Sequence, residues 1–198
     1  MGSFGAVIPV TGLNIGFVGE VSRTADPPVI AARQASPSNL LNIMFGDPVV
    51  LLGDATGGLW QSVADFIIGA GTPSAPSGGA FTASLFAGVA VREVKTQLGY
   101  PITPGAASIG FYRPGEMTEA LERGSMTVLF HVTTGAISGG PVYVRILLNG
   151  AIPAGVIGGF ESQADGSNTV LLTNVVFRTG VVDANNVAEI TVLNRVAA

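Results

Sequence analysis

The chain has 198 residues and a formal net charge of −4, with 47% hydrophobic residues but only 11% charged ones, less than half the share, roughly a quarter, found in an average soluble domain. The length suits one domain with a proper core, or a compact domain carrying arms. A sequence pI near 4.8 and nine scattered basic residues give no general hold on phosphate, so direct nucleic-acid binding is not expected; the absence of cysteine removes disulfides, thiolate metal sites and Cys nucleophiles together.

In chain order, the first 40 residues hold Asp26, Pro27, Pro28 and Pro37 among short apolar pieces with little helical spacing. They predict an extended N-terminal arm, residues 1–41, containing one or two short strands, and such an arm gains order mainly by docking. The rest, residues 42–198, reads as a β-rich body. From Asn42 to Leu52, apolar residues surround Gly46, Asp47 and Pro48, which predicts strand, turn, strand, with Pro48 barred from a central ladder position. Residues 71–80 are rich in Gly, Ser and Pro and predict a flexible loop. Phe81 to Val94 reads as a strand leaving the core.

The strongest pattern lies at Ser125 to Thr133, where Met126, Val128, Phe130 and Val132 alternate with Thr127, Leu129, His131 and Thr133. Gly139-Gly140-Pro141 precedes a second alternation, Val142, Val144 and Ile146, which predicts a hairpin between the two strands. Further strands are expected at Ala154 to Phe160, Thr169 to Phe177 and Ala188 to Val196, separated by turn-like stretches at 164–168 and 183–186. The main helical candidate, Glu116 to Arg123, is two turns long and serves equally as a strand leading into Met126. Short strands punctuated by 28 glycines and 12 prolines give an all-β barrel or sandwich with little helix.

Chemistry is sparse. His131 is the only histidine, which excludes multi-histidine zinc sites and leaves an ordinary strand residue as its reading. Ser138 lacks the first glycine of a nucleophile elbow and falls between strands rather than at a strand-to-helix turn. Glycines 53, 57 and 58 lack the Lys-Ser/Thr ending of a P-loop. Glu116, Glu119 and Glu122 read as a solvated face, and the 165–168 stretch as a turn rather than a calcium loop. No cofactor, metal or catalytic residue is expected. Trp60, Phe66, Phe81 and Phe86 read first as core, and any exposed aromatic among them as an interface anchor.

The apolar runs closest to a membrane span, Ile67 to Ala70 and Phe86 to Val91, are short and broken by glycine, whereas a crossing helix needs about 20 apolar residues. The first basic residue is Arg23, so no positively charged segment opens the chain and classical secretion is not expected. With neither membrane nor nucleic acid as partner, a chain this short of charge is expected to hide surface against protein.

Five strings in order, Phe45-Gly46-Asp47-Pro48-Val49, Phe86 through Thr96 (FAGVAVREVKT), Tyr112-Arg113-Pro114-Gly115-Glu116, Gly140-Pro141-Val142-Tyr143-Val144-Arg145 and Ala188-Glu189-Ile190, resemble the structural cement proteins of tailed bacteriophages. The likeness spans roughly Asn42 to Val196. The resemblance implies a non-enzymatic capsid decoration protein, made in the bacterial host cytoplasm and carried on the outer surface of an icosahedral shell. There it would clamp adjacent major capsid subunits and associate with itself as a dimer or trimer. Phe4, Ile8, Ile15 and Phe17 in the arm and Trp60 near the loop are the expected contacts. Another virion subunit, of tail tube or shell, is the alternative, and a small hydrolase stands further behind.

Overall fold

The computed structural model describes residues 15–22, 27–53, 58–69, 81–92 and 110–194. The expected loop 71–80 lies outside the described residues, as do Phe4 and Ile8. Eleven strands are described: β1 (Val29–Gln34), β2 (Ile43–Met44), β3 (Pro48–Leu52), β4 (Leu59–Ser62), β5 (Phe86–Ala90), β6 (Phe111–Tyr112), β7 (Met117–Val132), β8 (Pro141–Arg145), β9 (Phe160–Glu161), β10 (Thr169–Val182) and β11 (Val187–Val192). Among the described residues a single α-helix, α1 (Val63–Ile68), follows β4, and two three-residue 3-10 turns, Ala83–Leu85 and Gly166–Asn168, complete the helical content. The chain is all-β with little helix, as its glycine- and proline-punctuated alternation requires.

β7, 16 residues long, organises everything else. Its second half closes a five-stranded barrel in the order β7-β9-β8-β10-β11 and back to β7, with only the β7–β9 pair parallel. Closure removes the free edges that a sheet would otherwise expose to stray pairing. Its first half belongs to a second sheet, where β1 and β5 pair with it and β3 and β4 follow. This sheet curls until Ala35 bridges Trp60, whose carbonyl accepts the Ser36 amide at 2.8 Å. The handover falls at Gly124, with φ of +128° and Pro28 so near that a Cβ would meet it at 3.2 Å; glycine alone adopts that bend without strain.

The barrel core follows the alternation read from sequence. Met126, Val128 and Phe130 are fully buried, and Phe130 stacks on Phe177 with ring centroids 4.6 Å apart and lies 6.0 Å from Phe160. The curled sheet has a smaller core, in which Ala35, Ala87, Ala90 and Ala120 make room for Phe45, Trp60 and Tyr112. The Tyr112 hydroxyl donates to the Val91 carbonyl at 2.7 Å, satisfying its one buried polar group.

Several expectations change. β7 and β8 do not form a hairpin, because the two-residue β9 lies between them, Phe160 opposite Phe130 on one side and Val144 on the other. The Gly139-Gly140 turn pairs instead with Phe177 of β10. Ala154 to Phe160 is a loop until its last residue, and Glu116 to Arg123 is strand from Met117 onward. β2 and β3 keep the strand, turn, strand order, yet β2 pairs with β6. Pro48 starts β3, where its missing N–H is tolerated.

Candidate functional site

Between the barrel and the curled sheet runs a groove of about 690 Å³. One wall is the outward face of β7, Leu129 and His131, which alternation directs away from the barrel core. The second is the β2–β3 turn with Met44, Phe45 and Asp47, and the third is α1 with Ala64 and Ile68. The connection from β8 to β9 closes the groove with Leu148 and the run from Gly155 to Phe160. Leu41, Leu148 and Val156 stand at its rim, 41%, 68% and 46% exposed.

This wall is held from beneath by a buried charge network. Arg145, fully buried at the end of β8, donates Nη2 to Glu161 Oε2 at 2.8 Å, its Nε to Oε1 of the same carboxylate, and its Nη1 to Asp165 Oδ2 at 2.9 Å and to the Leu147 carbonyl at 3.0 Å. Asn149 Nδ2 donates to both Asp165 oxygens at 3.0 Å. The hydrogen bonds to Glu161 hold the Arg145 guanidinium above its ordinary value, and those from Asn149 and Arg145 hold the Asp165 carboxyl below its own. A fork-shaped guanidinium fits this task because it satisfies two carboxylates and a carbonyl in one plane. The bonds pin both ends of the segment that carries Leu148. At the other end Gly158, with φ of +76°, comes so close to α1 that a Cβ would lie 2.5 Å from the Ala64 amide nitrogen.

The Leu40-Leu41 rim is fixed similarly. Ser62 caps α1 by accepting the Asp65 amide at 3.1 Å, and buried Asp65 accepts Gln61 Nε2 at 2.9 Å and the Leu40 amide at 3.1 Å. Polar atoms are thereby used up in scaffolding, which leaves apolar side chains facing outward.

Two titratable groups face the groove. Asp47 accepts the Met44 amide at 2.9 Å, and burial pushes its carboxyl up to about 7 against that bond. Burial lowers His131, opposed by the Glu161 charge. Burial thus disfavours the charged form of each group.

Other residues singled out from sequence are dispersed. Ser138 sits exposed in a turn, its hydroxyl donating to the Arg178 carbonyl at 3.0 Å. Glu119 and Glu122, three apart on β7, point to opposite faces. Asp165 is engaged by Arg145 and Asn149, and no cluster of three or more His, Asp or Glu side chains suited to a metal occurs among the described residues. Trp60 is fully buried among Ala35, Phe45 and Val49, so it has no face to offer a partner and serves the core instead. Phe81 and Phe86 are core too. Phe17 is 64% exposed with the Arg92 guanidinium 4.6 Å above its ring, and Ile15 is half-buried, its amide donating to Asp183 Oδ2 at 3.2 Å. Phe17 and Ile15 lie on one short run across β7; of the groove residues, His131 was singled out from sequence only as an ordinary strand residue, and the rim residues Leu41, Leu148 and Val156 were not singled out.

The family model described as structural cement protein (E217 gp24/Pam3 gp6) matches residues 8–193. No curated protein matches the chain. Among solved structures, a chain from the capsid of Myoviridae phage XM1 is similar over 98% of this chain and 98% of that one, at 20% identity and a TM-score of 0.50, a likeness of fold.

Proposed function

The chain belongs to the structural cement protein family, a structural component of the phage capsid, and from that premise we propose that it decorates the outer face of an icosahedral shell and clamps adjacent major capsid subunits there. In this reading residues 42–198 form the body that stands on the shell. Of residues 1–41, β1 and Ala35 belong to that body, and the stretch ahead of them, with Phe4, Ile8, Ile15 and Phe17 as contacts, or the 71–80 loop, reaches across a joint between subunits. Holding both sides of the joint opposes their separation under pressure from packaged DNA.

One observation carries the reading: a groove rimmed by exposed Leu41, Leu148 and Val156 in a chain with only 11% charge. Such apolar patches mark protein contacts more often than solvent-facing surface. Burying about 1,000 Å² of apolar surface at about 25 cal/mol per Å² gains about 25 kcal/mol, against an association cost of about 4–15 kcal/mol. Attachment therefore needs no covalent link, and a unit that touches several capsid subunits gains further from effective concentration.

The work is mechanical rather than enzymatic, with major capsid protein and further copies of the chain as partners and neither nucleic acid nor membrane involved. Cryo-electron microscopy of particles carrying the chain tests this directly. Density outside the shell and across neighbouring subunits is expected; density within the shell lattice or tail would refute it. Deleting residues 2–20 should weaken co-sedimentation with shells, and undiminished sedimentation would remove the arm from the clamp. Exchanging Ser138, which sits in an exposed turn away from the groove, for alanine should leave attachment intact.

A further inference from the structure

The groove wall that carries Leu148 continues into Asn149-Gly150, the one Asn-Gly pair in the chain. An asparagine side chain is open to attack by the backbone nitrogen of the residue after it, and glycine, having no Cβ, obstructs that attack least. The other asparagines are followed by Ile, Leu, Thr, Val, Arg or a second Asn.

The parts of such a ring closure are in place. The nucleophile, the Gly150 amide, donates to no group among the described residues. Gly150 is exposed, with nothing within 4 Å of where a Cβ would stand. The electrophile, Asn149 Cγ, carries an oxygen that accepts the Ala151 amide at 3.0 Å, and a backbone donor so placed favours the negative charge that this oxygen gains on attack. The leaving nitrogen, Nδ2, points the other way, to both Asp165 oxygens at 3.0 Å.

We infer that Asn149 is a self-modification site, converted to aspartate and isoaspartate in the folded chain, and that its conversion unlocks the Arg145 network beneath the groove wall. The Gly150 nitrogen forms a bond to Asn149 Cγ, the Cγ–Nδ2 bond breaks, and ammonia leaves with the proton that Gly150 gives up. A cyclic imide remains. Water then adds to one of its carbonyls: opening at the Cγ–N bond gives aspartate, and opening at the Asn149 backbone carbonyl gives isoaspartate. Neither oxidant nor reductant is needed.

Either product carries a carboxylate in place of the amide that donates twice to Asp165. The Asn149 bonds are the largest of the influences that hold the Asp165 carboxyl below its ordinary value. Replacing them with a like charge turns that support into repulsion. Arg145 is already committed, its Nε and Nη2 to Glu161 and its Nη1 to Asp165 and the Leu147 carbonyl. The stretch from Leu147 to Gly150 therefore loses its tie to Asp165 at the place where Leu148 stands on the rim. The chemistry needs no partner. Its effect on attachment rests on the cement reading and adds a limit to it: the contact surface loosens with the age of the chain.

Trypsin releases Asn149 on one peptide, Ile146 to Arg178, together with Asn168 and Asn174, which serve as internal controls. The full-length chain is kept folded in mildly alkaline buffer, and samples taken over time are digested and mapped by a separation that resolves amide, aspartate and isoaspartate, an undelayed sample setting the starting point. Conversion at Asn149 severalfold ahead of both controls is expected. It should slow severalfold in Gly150→Ala, whose Cβ obstructs ring closure and meets no neighbouring atom. Asn149 converting no faster than Asn168 and Asn174, or as fast in Gly150→Ala, would overturn the site.

The same samples are then sedimented with shells. The bound fraction should fall in step with conversion, hold steady for Gly150→Ala, and start low for Asn149→Asp; conversion with undiminished binding would overturn the unlocking. A fresh unsubstituted chain that fails to bind refutes the cement reading alone, and the unlocking is then read on the urea midpoint, which should fall as the converted fraction grows and, if it stays constant, overturns it.

Discussion

The two faces of the second half of β7 are built on opposite principles. The inward face spends large side chains on a closed interior, with Met126, Val128, Phe130, Phe160 and Phe177 at 0–1% exposure, and the ladder closes on itself. The outward face, with Leu129 and His131, looks onto a groove whose other walls are fixed by buried polar atoms, Arg145 with Glu161 and Asp165 on one and Asp65 with Ser62 and Gln61 on another, and whose leucines turn outward. Stability is concentrated in one region and contact surface in the other. Substitutions in the barrel should therefore change folding, whereas substitutions at the rim should change attachment.

The largest effect is expected at the aromatic stack. Phe130→Ala should cost about 3–5 kcal/mol in chemical unfolding, since it removes a fully buried ring and its partners on Phe177 and Phe160 cannot close the cavity. Shell attachment of the fraction that remains folded should be unchanged. Arg145→Ala comes next, at about 3–5 kcal/mol, because it strands the buried Glu161 carboxylate. Unlike the barrel variant, it should also weaken attachment among folded molecules, since the wall carrying Leu148 loses its anchor. Equal loss of attachment in both variants would erase the distinction between the two regions.

The barrel was more legible than the groove, for a physical reason. Period-two alternation at Met126 to Val132 records a local fact, that one face of a strand is buried. The same logic could not place β9, two residues long, between β7 and β8; its insertion depends on Phe160 meeting Phe130 and Val144 from distant positions. The groove draws its lining from five separate stretches, Val18 among them, and has no single sequence pattern. A signal was nonetheless available in Leu40-Leu41 and Leu147-Leu148, adjacent leucine pairs at turn-like positions, all four of which are exposed. Trp60, by contrast, drew attention as an aromatic near a loop, and its burial follows from the Ala35 bridge that curls the second sheet over it.

Asp47 gives a smaller effect with a definite sign. Its carboxyl, raised from 3.8 to about 7, keeps a proton in the folded chain at pH values where the unfolded chain has lost it, so its contribution to stability falls as pH rises through that interval. Asp47→Asn keeps an oxygen for the Met44 amide and removes the titration. The variant should match the unsubstituted chain near pH 4 and exceed it by about 2 kcal/mol at pH 8, allowing for partial solvent access to the carboxyl. His131 titrates in both proteins and cancels from the difference. A stability difference independent of pH in urea titrations would mean that the carboxyl stays ionised in the groove.

The rim should show the smallest change in stability and the clearest change in function. Leu148 is 68% exposed, so Leu148→Lys removes little buried surface, and unfolding should shift by no more than about 0.5 kcal/mol. Attachment is another matter: an ammonium on the rim must be desolvated before a partner can close over it, at a cost well above that of the lost leucine contact. Paired with Val156→Lys, the substitution should abolish co-sedimentation with shells while leaving the melting temperature in place. The same double substitution on the opposite side of the barrel, at exposed Leu171 and Val181, serves as the comparison. If that pair abolished attachment and the rim pair did not, the contact surface would lie on the barrel, and the division of labour across β7 would run the other way.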